Sequence, residues 1–149
     1  MLINLIVTVV LLTIVNGFKA PLPSHDVGEG EHVEPCQKWI KCEAEDKAAL
    51  DEFDACLNQV PEEKMKKLTK IMADYAKTEW SGIEAAYKDY CAWDDKRQNE
   101  HYAEAVQQLS EEYSSTCADS LQAATCTEMT ELSECFIDVL NRVHDEEKC

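Results

Sequence analysis

Four histidines, eight cysteines and thirty carboxylates are the side chains of this 149-residue chain best suited to chemistry. Histidine is the usual general base, and it works when held against a reacting group at hydrogen-bond distance. His25 and His32 fall in a stretch broken by Pro21, Pro23 and Pro35. His101 adjoins the polar run Asp94 to Glu100, which reads as a connection, so a solvated surface imidazole is expected there. His144 precedes Asp145 near the end of the chain. The sequence contains no G-x-S-x-G elbow, H-E-x-x-H pair or Gly-rich phosphate loop. For calcium, the run Asp94-Asp95-Lys96-Arg97-Gln98-Asn99 departs from an EF-hand loop at its third position and has no glycine at its sixth. The expectation is a protein that is not an enzyme and has no catalytic residues, no metal site and no cofactor.

The cysteines carry more information. Cys36, Cys42, Cys56, Cys91, Cys117, Cys126, Cys135 and Cys149 form no C-x-x-C pair, so their spacing does not match paired zinc ligands. An even number in a short exported chain implies disulfides, here four, with the pairing open among 105 arrangements. Helix geometry removes some of them. If residues 36 to 42 are helical, Cys36 and Cys42 stand about 9 Å apart, beyond the ~7 Å a disulfide spans. The same holds for Cys126 with Cys135 in a continuous helix.

The elements that position these residues are read from periodicity. Leu2 to Val15 is an uncharged apolar run of fourteen residues ahead of Val15-Asn16-Gly17. It is too short to span about 30 Å of hydrocarbon and reads as a secretory signal peptide over 1–17. Residues 18–35, with Pro21, Pro23, Pro35, Gly28 and Gly30, read as a flexible arm. From position 36 onward Pro61 is the sole proline and Gly82 the sole glycine, which suits helices and not the frequent turns of strand-rich domains. Trp39, Ile40, Leu50, Phe53 and Leu57 recur at helical steps, with Glu43, Glu45 and Asp46 marking a break. Pro61-Glu62-Glu63 suits a helix start with proline at the first helical position, ahead of a buried face of Met65, Leu68, Met72, Tyr75 and Ala76. Ser81 with Glu84 fits a capping box ahead of Ile83, Tyr87 and Tyr90. Tyr102, Val106, Leu109 and Tyr113 predict a further inward stripe, Cys117 to Ala124 a short element, and Met129, Leu132, Phe136, Val139, Leu140 and Val143 the clearest helix. The fold expected is all-α: a compact bundle of five or six short helices over 36–149, stapled by disulfides.

Charge bounds the partners. The net charge of −16 disfavours nucleic acid and anionic membrane. Lys64, Lys66, Lys67 and Lys70 are a local reversal of sign, read either as a solubilising outer face or as a contact patch. Lys96-Arg97 is a dibasic pair that a processing protease would find accessible in a loop. Trp39, Trp80 and Trp93 with Tyr75, Tyr87, Tyr90, Tyr102 and Tyr113 are read chiefly as packing, with a ligand cavity as the alternative.

The two C-x8-C intervals, Cys117 to Cys126 and Cys126 to Cys135, together with the acidity, resemble in type the insect odorant- and pheromone-binding proteins, small exported all-α carriers. The chain departs from them by lacking their C-x3-C pair and in its cysteine count, so ligand carriage does not transfer. His144-Asp145 is similar to the His-Asp pair of secreted phospholipases A2, but without their flanking cysteine and calcium loop. In general type the chain looks like the secreted cysteine-rich effectors of venoms, saliva and body fluids. The leading expectation is a secreted, extracellular, non-enzymatic protein that binds a macromolecular partner, with no nucleic acid and no stable membrane insertion. The alternative is a carrier of a small apolar or cationic ligand.

Overall fold

The protein is described by a computed structural model over residues 30–43 and 47–149. Residues 1–29, where a signal peptide and most of an arm are expected, and residues 44–46 lie outside the described residues. Among the described residues the fold is all-α. It comprises α1 (Val33–Lys38) continued by a π-helical turn (Trp39–Glu43), α2 (Lys47–Leu57), α3 (Glu62–Ala76), α4 (Ile83–Ala92), α5 (Asp95–Ala118), a 3₁₀ turn (Ser120–Gln122) and α6 (Ala123–Asp145).

Helix α6 is the spine, lying against α1, α2 and α5. Its stripe Val139, Leu140 and Val143 is buried together with Ile40, Ala49 and Phe53, and the disulfide sulfurs of Cys36 and Cys56 sit inside this core. The Phe53 ring packs on Phe136 at 4.8 Å and edge-on to Tyr87 at 6.5 Å. Aromatic and aliphatic burial of this kind is the main favourable term in folding. Lys41 enters the same region. Its side chain is 3% exposed, its ammonium pairs with Asp54 at 2.7 Å, and it lies 4.4 Å from the centre of the Tyr87 ring. A buried cation is tolerated because it is paired and faces an aromatic π cloud.

Four disulfides connect distant elements: Cys36–Cys149, Cys42–Cys91, Cys56–Cys135 and Cys117–Cys126, with Cα separations of 5.0, 5.3, 5.9 and 4.9 Å. Cys36 and Cys42 do bond elsewhere, as do Cys126 and Cys135, for the helical-distance reason. Cys117–Cys126 closes the turn between α5 and α6, where the Tyr113 hydroxyl lies 3.0 Å from Thr130. The Thr130 hydroxyl already donates to the Cys126 carbonyl, so Tyr113 is the donor.

Several local expectations are corrected. The helices are not all short: α5 has 24 residues and α6 has 23. Asp94 to Glu100 is not a connection. Asp94 caps α5 by accepting the Arg97 backbone N–H at 3.0 Å, and the polar residues after it are the outer faces of the first turns. Lys96-Arg97 is accordingly helical and not in a loop. Ser81 caps nothing, and Gly82 holds the N-cap position of α4 without a side-chain bond. Pro61 precedes α3 as its N-cap residue, one position earlier than expected, while Glu62 and Glu63 occupy the first turn. Helix α1 begins at Val33, inside the stretch read as an arm, and Val33 packs on the core.

Disulfide loop length sets a stability order. With Cys56–Cys135 intact, removing Cys36–Cys149 reopens an effective loop of about 34 residues, along 36–56 and 135–149, whereas Cys117–Cys126 closes one of separation 9. In the chain-entropy relation the longer loop is worth about 1 kcal/mol more. Urea unfolding of the Cys36→Ser/Cys149→Ser variant should show a loss larger by about that amount than Cys117→Ser/Cys126→Ser.

Candidate functional site

The half of the molecule away from the aliphatic core is built from α3, α4 and α5, and the residues buried there are small or polar: Thr69, Ala73, Ala86, Tyr90, Gln98 and His101. Three local devices bring its aromatic rings together. Helix α3 ends with Lys77 in the left-handed region at φ 54°, and the Thr78 N–H returns to the Ala73 carbonyl at 3.0 Å, turning the chain sharply. Trp80 is then fixed by donation from its indole N–H to Asp89 of α4 at 2.8 Å. The Gln98 amide of α5 donates to the Tyr90 carbonyl at 2.9 Å, which locks the start of α5 to the last turn of α4.

His101 stands at the centre. It is 5% exposed, and the rings of Trp93, Tyr75, Trp80 and Tyr90 lie 5.1, 5.7, 5.9 and 6.2 Å from its centre. This overturns the expected solvated imidazole. The signal available in the sequence was the helical step from Gln98 to His101 on the face later occupied by Tyr102, hidden by the polarity of the residues between. Burial, reinforced by the Arg97 charge and opposed by Glu104, holds the imidazole below its ordinary pKa of 6.5. Its Nδ1 is buried without a hydrogen-bond partner, a condition that costs about 1–3 kcal/mol. Burial also pushes the Tyr90 phenol up to about 12, so it stays neutral.

The groove beside His101 has a volume of about 330 Å³ and is bounded by Tyr75, Trp93, Arg97 and His101, with Asp94 and Glu100 at its rim. The Arg97 guanidinium lies over the Trp93 ring at 4.1 Å, a cation–π contact. Part of the aromatic set expected as packing therefore forms the wall of an open groove, while Tyr87 and Trp39 pack against the main core.

The lysine patch is brought together on α3 but is neutralised there. Lys66 pairs with Glu62 at 2.8 Å, Lys70 with Asp74 at 2.9 Å, Lys67 with Glu112 of α5 at 2.9 Å and Lys64 with Glu128 of α6 at 3.6 Å. These exposed pairs are individually weak, yet together they leave little uncompensated positive charge on that face. His144 stacks on His32 with ring centres 4.5 Å apart, and His32 shares a hydrogen bond with Asn141 at 2.8 Å. His144 also approaches the sulfurs of Cys36 and Cys149, which the disulfide between them occupies, so no thiolate is offered to a metal.

No protein family, curated protein or solved structure matches this chain. Among the described residues no helix is long and apolar enough to cross a membrane. Four disulfides fit a protein held in an oxidising compartment.

The His101 environment fixes a sign for pH dependence. A buried histidine whose folded pKa lies below 6.5 is protonated more readily in the unfolded chain, so its stabilising contribution is full above pH 6.5 and is lost as pH falls below it. Urea midpoints should drop between about pH 7 and pH 5, ahead of the carboxylate range, and His101→Phe should flatten that segment of the profile. An unchanged slope in the variant would remove His101 as its source.

Proposed function

We propose that this chain is an exported, non-catalytic protein that acts outside the cell by binding a macromolecular partner, specifically a cationic amphipathic segment of another protein. The observation that carries the reading is an apolar stripe on α5 with incomplete cover. Leu109 shares a helical face with the buried Thr116, seven residues on, and Val106 flanks it three residues earlier, yet each is 42% exposed. The two ends of that helix are covered, at His101 by α3 and α4 and at Thr116 by the α5–α6 turn, while the side carrying Val106 and Leu109 is open. Three residues apart, Val106 and Leu109 are neighbours on the helix surface and offer adjoining apolar contacts to a partner.

Charge selects the partner. The chain carries −16, and on α3 Lys67 is already paired to Glu112 of α5 and Lys64 to Glu128 of α6. A partner with basic residues flanking an apolar stripe would meet complementary potential, which favours rapid encounter and excludes acidic competitors. Export is supported by the disulfide framework and by the apolar segment at residues 2–15.

A second reading, carriage of a small apolar or cationic ligand, is favoured by a separate groove of about 550 Å³ where Leu57, Val60, Met65 and Ile83 form an apolar floor beside Asp54 and Glu84. One experiment separates the two. A Lys/Leu amphipathic helical peptide should bind the disulfide-intact protein in fluorescence anisotropy, and Val106→Asn/Leu109→Asn, which leaves the charge unchanged, should weaken it about tenfold or more. Equal affinity in the variant would reduce the interaction to general charge attraction and contradict the proposal. A small molecule retained stoichiometrically in native mass spectrometry would favour the carrier instead.

A further inference from the structure

We infer that the groove between Tyr75, Trp93, Arg97 and His101 is a binding site for a small planar organic anion, an aromatic carboxylate being its simplest form. The inference is independent of the α5 docking face, and it differs in charge from the carrier reading of the larger groove. Its first support is the state of Arg97. Among the described residues Lys38, Lys41, Lys66, Lys67, Lys70 and Arg142 each have a carboxylate within 3 Å, but no carboxylate oxygen stands within ion-pair distance of the Arg97 guanidinium. Lys77 and Lys88, both exposed, likewise have no carboxylate within ion-pair distance among the described residues; Arg97 differs from them in lining a groove with its guanidinium against an aromatic ring.

Neither carboxylate of the lining faces the Arg97 guanidinium at ion-pair distance. Asp94 accepts the Arg97 backbone N–H at 3.0 Å as the cap of α5, and Glu100 faces the Lys96 ammonium at 3.8 Å. The guanidinium rests on the Trp93 ring at 4.1 Å. A guanidinium seated on an aromatic surface keeps the N–H donors along its edge available, in the fork geometry that takes a carboxylate through two parallel hydrogen bonds.

The second support is His101, nineteen-twentieths buried at 5% exposure, lining the same groove with its Nδ1 unpartnered. A buried polar atom without a partner is uncommon in folded proteins and is found where a ligand or solvent completes the bonding. The third is the apolar wall. Tyr75 is 45% exposed on one side and Trp93 lies on the other, so a flat ring entering the groove finds aromatic surface. The volume of about 330 Å³ falls at the small end of ligand sites and suits a compound of one or two rings. A cation of the same shape meets two positive charges on the lining, Arg97 and Lys96.

The test is calorimetric titration of the full, disulfide-intact chain at pH 7.5 with 2-naphthoate and, separately, with 2-naphthylmethylamine, which carries the same ring system with the opposite charge. Naphthoate should bind one to one and the amine should not. Arg97→Gln should weaken naphthoate by about tenfold or more, while Lys88→Gln, which removes an exposed cation on α4 outside the groove, should leave its affinity unchanged. Amide spectra of both variants, matching the parent away from the substituted residue, show that the fold is kept. Binding of the amine as tight as that of naphthoate, an unchanged affinity in Arg97→Gln, an equal loss in Lys88→Gln, or no binding of either compound would each overturn the inference.

Discussion

The fold depends on the clamping of α6 against the N-terminal helices. Cys36–Cys149 ties α1 to the end of the chain just beyond α6, and Cys56–Cys135 ties α2 to the middle of that helix. Between these two bonds lie Val139, Leu140 and Val143, packed on Ile40, Ala49 and Phe53. Each disulfide restricts the unfolded chain, and the aliphatic contacts they enclose supply the burial that makes the native arrangement favourable. Arg142, paired to Glu52 and Glu146 on the outside of the same junction, adds a modest electrostatic tie.

With stability concentrated there, the α3–α4–α5 half can hold arrangements that stability alone would not select. A histidine among four rings with an unpartnered nitrogen, an arginine without a counter-ion, and apolar residues on an open stretch of α5 all occur in this half. Departures from local consistency tend to collect where a protein binds or reacts. Two bridges reach into this half, Cys117–Cys126 at the far end of α5 and Cys42–Cys91, which holds α4 against the π-helical turn, so the aromatic groove rests on a fixed base. The groove at His101 and the exposed stripe at Val106 and Leu109 lie on the same helix. A small ligand and a protein partner would therefore bear on one element, α5, from adjacent positions along its length of about 36 Å.

Much of this was legible in the residues. The helical class followed from the near absence of glycine and proline after position 36, and the inner stripe of α6 from the spacing of Leu132, Phe136, Val139, Leu140 and Val143. Cysteine spacing excluded two pairings by distance but could not choose among the rest, because connectivity depends on which helices meet. The start of α5 was misread because polarity in Asp94 to Glu100 was taken for a loop, when an aspartate cap followed by helix-forming polar residues describes an exposed first turn equally well. His101 was misplaced for the same reason. The lysine patch was legible as a charge cluster, but part of its neutralisation rests on Glu112 and Glu128, which are remote in sequence and meet Lys67 and Lys64 only in the assembled bundle. The expected inner stripe of α5 was only partly right: Val106 and Leu109 are exposed, and the residues the helix buries are Gln98, His101 and Thr116. That Val106 and Leu109 are left uncovered is a property of the assembled bundle, which periodicity cannot express.

The central claim is a division of labour between a stapled core and an α5 segment left uncovered for a partner, and native-state hydrogen exchange on the disulfide-intact protein measures it residue by residue. Amides along the α6 stripe from Leu132 to Val143 should exchange only through global unfolding, while those of α5 between Glu104 and Glu112 should exchange by local opening, about a hundredfold faster or more. Uniform protection across both helices would contradict the account.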